Sequence, residues 1–257
     1  MATVPGHSAP PVFDAWIQAL EARHLADLRF SEVTRALRAL SSVYVERRQG
    51  GLNKALDSAG KRAAFALFYG PLHFITTYSI VRAIGAGAGA RRIMDLGCGT
   101  GAAGAAWALA ADAPAITGID RHPWAVAEAR WTYEALGLRG SARRDDLTRL
   151  PPTGQGDAVL AAFLLNELAD AARVALFRRL LDEARRGAQV LIVEPISLRV
   201  SPWWRDAASE MAAAGGRADE WRFAVDLPDR VRLLDKAAGL DHRELTARSL
   251  YCPGAAG

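Results

Sequence analysis

Between residues 91 and 195 short apolar runs alternate with helical stretches, and this rhythm constrains the fold more than any other feature of the chain. The runs read RRIMDLG, AITGID, SARRDD, DAVLAAF and AQVLIVEP, with helical segments reaching Ala111, Leu136 and Arg186 between them. Strands that alternate with helices pair in parallel through right-handed crossovers. The expected fold class is therefore α/β: a doubly wound, mostly parallel, Rossmann-like sheet. A chain of 257 residues, 51% of them hydrophobic, has room for such a domain plus an appendage. That composition excludes a disordered, fibrous or disulfide-scaffold protein.

The appendage lies upstream. Apolar residues recur at helical spacing from Phe13 to Tyr44, including Trp16, Leu20, Val33 and Leu37, which predicts two helices joined near Arg29 to Ser31. A second helical block runs from Asn53 to Ile84, and GAGAGA at 85–90 is the natural linker. The division is thus 1–90, a helical cap that meets substrate, and 91–257, the α/β domain. Ala63 to Val81 carries no charge but contains Gly70-Pro71, His73, Thr76, Thr77, Tyr78 and Ser79. It reads as a buried, pocket-lining helical region interrupted near Pro71, not as a membrane span. Residues 1–90 hold 10 basic and 6 acidic side chains, against 14 and 13 in 91–200. A basic surplus in the cap leaves RNA as a partner to consider, although charge alone does not establish it. Only two cysteines are present, Cys98 and Cys252, and the opening MATVPGHSAPPVFDAW lacks a cationic and apolar leader. A reducing cytoplasm is the expected compartment, and no metal site is expected.

Chemistry concentrates at Asp95-Leu96-Gly97-Cys98-Gly99-Thr100-Gly101, where a strand ends and an Ala-rich helix begins. Glycines there allow a tight turn and close approach to a ligand, while the helix start offers free N–H groups. Gly99 to Gly104 also satisfies the G-x-G-x-x-G dinucleotide fingerprint, with Asp120 at the distance of a ribose-binding acid, so a nicotinamide or flavin oxidoreductase is an alternative. The register disfavours it. Asp95 stands at the strand tip, where a carboxylate repels pyrophosphate but suits a ligand carrying an ammonium group.

DLGCGTG and the order of motifs through residues 91–195 resemble the class I S-adenosylmethionine-dependent methyltransferases. The resemblance implies S-adenosyl-L-methionine as cofactor. Asp95, Gly97, Cys98, Gly99, Thr100 and Gly101 would face its methionine part, and Asp120 would bind both ribose hydroxyls. Arg121 and His122 would flank the adenine, Asp146 and Leu147 would meet its edge, and Ala161, Ala162 and Phe163 would line the far side. Cys98 is read as a small turn residue rather than a nucleophile. A narrower likeness joins Trp107, DLTRLPP and AAFLLNELADAARVALFRRLLDEARRGAQVLIVEP to a methyltransferase-like family of small-ribosomal-subunit assembly. That family carries a cysteine cluster after its fifth strand, which this chain lacks. A ribosomal RNA enzyme or a non-catalytic assembly factor on the small ribosomal subunit is the second functional alternative.

Methyl transfer needs a positioned acceptor and, for some acceptors, a base. Candidates for that work are His73 in the cap, Asn166 and Glu167 starting the helix after the fourth strand, and Glu194 ending the fifth. Tyr69, Tyr78, Trp203 and Trp204 are candidate substrate-binding residues. There is no [Asn/Asp]-Pro-Pro-aromatic tetrad of the kind that grips exocyclic amines, which leans away from DNA-base enzymes. A small-molecule acceptor is slightly favoured because the cap is uncharged where it meets substrate. After a helix over Asp229 to Ala238 only one strand is expected, in LDHRELTARSLY, so the sheet's last strand is expected short or missing, its edge covered by the N-terminal helices or a second subunit.

Overall fold

The computed structural model describes residues 4–5, 8–46, 56–147, 153–197 and 201–254. The expected helix start at Asn53 and the segment 148–152 of DLTRLPP lie outside these residues. In chain order the elements are β1 (Val4–Pro5), α1 (Val12–His24), α2 (Phe30–Glu46), α3 (Ala59–Ala64), a π-helical turn (Phe65–Tyr69), α4 (Gly70–Ile84), β2 (Arg92–Leu96), α5 (Ala102–Ala110), β3 (Ala115–Asp120), α6 (Pro123–Ala135), β4 (Gly140–Arg144), β5 (Asp157–Ala162), a 3-10 turn (Leu165–Glu167), α7 (Asp170–Arg185), β6 (Gln189–Glu194), α8 (Trp204–Ala213), β7 (Arg217–Ala224), α9 (Asp229–Ala237) and β8 (Glu244–Cys252).

Among the described residues eight strands form one sheet in the order β1-β7-β8-β6-β5-β2-β3-β4. All pairings are parallel except those of β8, which runs antiparallel between β6 and β7. Alternate residues of the central strands feed opposite layers, as the pleat requires. Ile93, Leu160, Leu191 and Val193 pack beneath α4 and α5, while Met94, Val159, Val190 and Ile192 pack against α7 and α8. Both faces are covered, which is why these strands read as continuous apolar runs.

The C-terminal expectation is corrected. The sheet's last strands are both present: β7 precedes α9, and β8, 9 residues long, is the antiparallel member. β7 escaped notice because RADEWRFA carries four charged residues and only Trp221 and Phe223 are buried. Its outer edge pairs with the two residues of β1.

The N-terminal helices share a core with the sheet. Phe13 and Trp16 of α1 pack on Phe74 of α4 with ring centroids 4.8 and 5.5 Å apart, and Trp16, Leu37 and Phe68 belong to the same apolar cluster as Ile93 and Leu191. Residues 85–90 are a docked turn rather than a loose connection: Gly87 N–H donates to Gln189 Oε1, and Gln189 Nε2 donates to the Ala88 carbonyl, each at 2.8 Å. Residues 59–84 form the one stretch among those described that is long and apolar enough to cross a membrane, and 78% of its apolar window is buried in the fold. Pro71 sits inside the continuous helical run 59–84, where it cannot donate to the preceding turn, and the irregularity is the π-helical turn just before it.

Candidate functional site

A cavity of about 560 Å³ opens at the carboxyl ends of the strands, where doubly wound sheets bind ligands. One wall is the turn after β2. Gly97 and Gly101 take left-handed backbone angles, φ +62° and +76°. A Cβ on Gly97 would lie 2.5 Å from Leu164 Cδ1, and one on Gly101 2.8 Å from the Tyr133 ring. Cys98, Gly99 and Thr100 complete this wall, whereas Gly101, expected to face the ligand, packs behind it against Tyr133 and Ala129. Burial pushes the Cys98 thiol well above its ordinary pKa, which disfavours the thiolate.

Asp95 ends β2 inside this wall. It is 1% exposed, and its Oδ2 takes no hydrogen bond among the described residues. Burial raises its pKa to about 7, with the Asp120 charge adding to the effect and the nearby Gly104 amide and Tyr133 hydroxyl offsetting it only partly. Gly104 is a glycine for Asp95's sake: a Cβ there would meet Oδ2 at 2.5 Å.

Asp120 at the tip of β3 ties two loops together. Its Oδ2 accepts from Gly99 N–H at 3.0 Å, and its Oδ1 from His122 N–H at 2.8 Å. Each oxygen keeps a second lone pair. The His122 ring caps α6 by accepting from Trp124 N–H at 3.2 Å, and burial, then Arg62, holds its pKa below the usual value. Leu147 also lines the cavity. Asp146 does not: it lies at the rim, ion-paired to Arg121 at 3.0 Å, so of that pair only Arg121 reaches the lining.

The facing wall comes from the cap and from the end of β5. The π-helical turn and the first turn of α4 deliver Phe65, Tyr69, Leu72, His73 and Thr76. His73 stacks flat on Phe163, centroids 4.0 Å apart at 12°. Phe163 is held at φ +55°, and its N–H donates to the Val193 carbonyl at 2.7 Å. Desolvation lowers the His73 pKa to about 3, so the ring is neutral and a very weak base.

Asn166 and Glu167 lie on the 3-10 turn, not on the helix, which begins at Asp170. Glu194 is fully buried; its oxygens accept from Leu165 N–H and Asn166 Nδ2, both at 2.7 Å, and burial pushes its pKa to about 8. Asn166 is committed as well, its Oδ1 accepting from Trp203 Nε1 at 3.0 Å and Ser201 Oγ at 3.1 Å. This network braces the loop after β5. Glu167 sits at the mouth, with its pKa raised by partial burial.

Three expected substrate contacts are corrected. Tyr78 stacks on Phe74, centroids 6.0 Å apart, away from the cavity. Trp204 is 5% exposed in the α7 and α8 layer, where the strand face needs apolar cover. Trp203 acts behind the wall, through Asn166. Tyr69 remains in the lining. The sequence did not single out Phe65, Leu72, Leu164, Leu245 or Thr246, nor the pair His242 and Asp235. Their positions follow from the π turn and from the antiparallel entry of β8, which brings its first residues to this edge.

The residues present fit S-adenosylmethionine: a buried carboxylate in the lining, Asp95, for an ammonium, an acid with spare lone pairs, Asp120, for a diol, and a glycine cradle at a helix start. The fold is the Rossmann-like methyltransferase fold. Residues 93–187 match the family model described as a methyltransferase domain. No curated protein matches the sequence. Among solved structures, mitomycin 7-O-methyltransferase is 16% identical, with 96% of this chain and 74% of that one covered at a TM-score of 0.52. The magnesium protoporphyrin IX methyltransferase of Synechocystis PCC 6803 is 17% identical, covering 72% and 84% at 0.46. The tRNA (uracil-54, C5)-methyltransferase of Pyrococcus abyssi is 14% identical, covering 69% and 38% at 0.45. At these identities the likeness to mitomycin 7-O-methyltransferase shows the fold.

Proposed function

We propose that the chain binds S-adenosylmethionine along Asp95 to Gly101 and Asp120 and methylates a small molecule held under the cap. The observation that carries this is the continuity of the cavity: one space joins the glycine turn to the aromatic wall of Phe65, Tyr69, His73 and Phe163. Its volume of about 560 Å³ falls within the roughly 300–1,000 Å³ of small-molecule sites.

When bound, the sulfonium supplies the methyl group together with its own leaving group. The protein's part is placement. Asp120 would accept from the two ribose hydroxyls through its remaining lone pairs. Asp95 would face the ammonium, whose charge favours the ionised carboxylate. The His73 and Phe163 stack keeps water from the reacting end, and the Glu194–Asn166–Trp203 network holds the loop that carries Phe163.

Calorimetric titration with S-adenosylhomocysteine tests this, with NADH alongside. Micromolar binding of the first and none of the second is expected. Binding of NADH alone would favour the oxidoreductase alternative, and binding of neither refutes the cofactor assignment. Salt-steep RNA binding without turnover would favour the assembly-factor alternative.

A further inference from the structure

The acceptor side of the cavity holds a side-chain pair with the geometry of an oriented base. Asp235, in the last turn of α9, is 2% exposed, and both of its oxygens are committed to one residue. Oδ1 lies 2.5 Å from His242 Nδ1, and Oδ2 accepts the His242 backbone N–H at 2.7 Å. A carboxylate in that position keeps the ring hydrogen on Nδ1 and leaves the Nε2 lone pair free to accept. Nε2 has no partner among the described residues. His242 lines the cavity next to Leu245 and Thr246, with the Phe68 ring 6.5 Å away. Toward solvent, Arg222 of β7, Asp241 and Arg243 of its own loop and Glu244 at the start of β8 border the same histidine.

Other groups in the cavity are poorly suited to take a proton. His73 lies flat against Phe163, Glu194 spends both oxygens on N–H donors, and Glu167 sits at the mouth on an exposed turn. The walls beside His242 and the glycine turn are rings and aliphatic chains: Phe65, Tyr69, Leu72, Phe163, Leu168 and Leu245. Such a surface suits a flat, apolar body, and a free imidazole nitrogen suits a hydroxyl on it.

We propose that His242, oriented by Asp235, is the catalytic base for an acceptor bearing an aromatic hydroxyl. The inference rests on the methyltransferase function proposed above. The acceptor oxygen forms a bond to the methyl carbon, the carbon–sulfur bond breaks with its electron pair staying on sulfur, and the hydroxyl proton moves to His242 Nε2. The imidazolium is then paired with the Asp235 carboxylate and releases its proton to solvent after product leaves. Asp235 is a positioning residue and touches no reacting atom.

The test uses the full chain saturated with S-adenosylhomocysteine, with 4-nitrophenol as the probe and its phenolate absorbance followed against pH. Bound 4-nitrophenol is expected to ionise at least one pH unit lower than in free solution, a tenfold shift in its ionisation equilibrium. H242Q should abolish the shift with S-adenosylhomocysteine affinity within twofold of the parent. D235N should reduce it. Ionisation as in free solution or a shift that survives H242Q overturns the proposal. If H242Q does not fold, the nitrogen-15 histidine spectrum of the parent decides: a His242 Nδ1–H tautomer whose Nε2 signal moves with 4-nitrophenol supports the assignment, and an Nε2–H tautomer overturns it. A parent that fails to bind S-adenosylhomocysteine removes the methyltransferase premise instead, so the two failures are distinguishable.

Discussion

Replacing Asp120 with alanine separates the two jobs assigned to its carboxylate. In the folded chain it accepts two backbone N–H groups, from Gly99 at 3.0 Å and His122 at 2.8 Å, at a site 7% exposed. A hydrogen bond to a charged group contributes about 1.5–3 kcal/mol, so the upper limit for losing both is about 6 kcal/mol. Cavity water can reach the freed N–H groups, which brings the expected loss to about 3 kcal/mol. For a chain of this size that is a fall in Tm of about 6–12 °C. Cofactor binding should weaken separately, because two ribose hydroxyls lose a charged acceptor: about 2–4 kcal/mol, roughly 30- to 1,000-fold in Kd. Calorimetric melting gives the first number, and titration with S-adenosylhomocysteine at 15 °C, well below the variant's transition, gives the second. A Tm within 2 °C of the parent would show that Asp120 does not lock the loops. Lowered stability with affinity kept within threefold would refute the ribose contact while sparing the structural one.

Three further outcomes follow from the same geometry. Glu194 has its pKa raised from 4.5 to about 8, so the folded chain retains a proton that the unfolded chain releases. The associated stability is fully present below about pH 4.5, is lost as pH rises through about 8, and amounts to an upper bound on the order of 5 kcal/mol; E194Q should flatten Tm against pH across that window, and an unchanged slope would count against the assignment. In a solvent-exposed helix Gly→Ala gains about 1 kcal/mol. G104A should instead destabilise by about 1–3 kcal/mol, because its methyl group would meet Asp95 Oδ2 at 2.5 Å, and a raised denaturation midpoint would refute that packing. Glu128 is fully buried and holds two residues of α1, His24 Nε2 at 2.6 Å and Arg23 Nε at 3.3 Å. E128A should cost about 2 kcal/mol and speed hydrogen exchange in α1 ahead of the sheet; exchange rising equally everywhere would contradict a local anchor.

Much of the glycine-turn wall of the cavity was legible in the residues themselves. Strand tips and the turns after them are local structures, so DLGCGTG announces its turn, and Asp120 closing AITGID announces an acid at the sheet's edge. Asp146 shows where this stops, since its neighbour Leu147 reaches the cavity while its own carboxylate pairs with Arg121 at the rim. The paired tryptophans read as a platform, yet one supports Asn166 and the other fills the core. Whether a side chain faces a cavity or the layer behind it depends on helix rotation and on which element packs there, and spacing along the chain fixes neither.

By itself, then, the sequence determined the doubly wound sheet, the glycine turn and the acid-tipped strands, because these depend on short-range periodicity and on backbone freedom. Only the tertiary structure decided the wall facing the glycine turn. β7 has too few buried residues to declare itself; the π turn that aims Phe65 and Tyr69 is a shift in helix register, not a change in residue type. Asp235 and His242 meet because α9 ends in a turn that folds back before β8 enters antiparallel. Contacts set by the return path of the chain are invisible until that path is known.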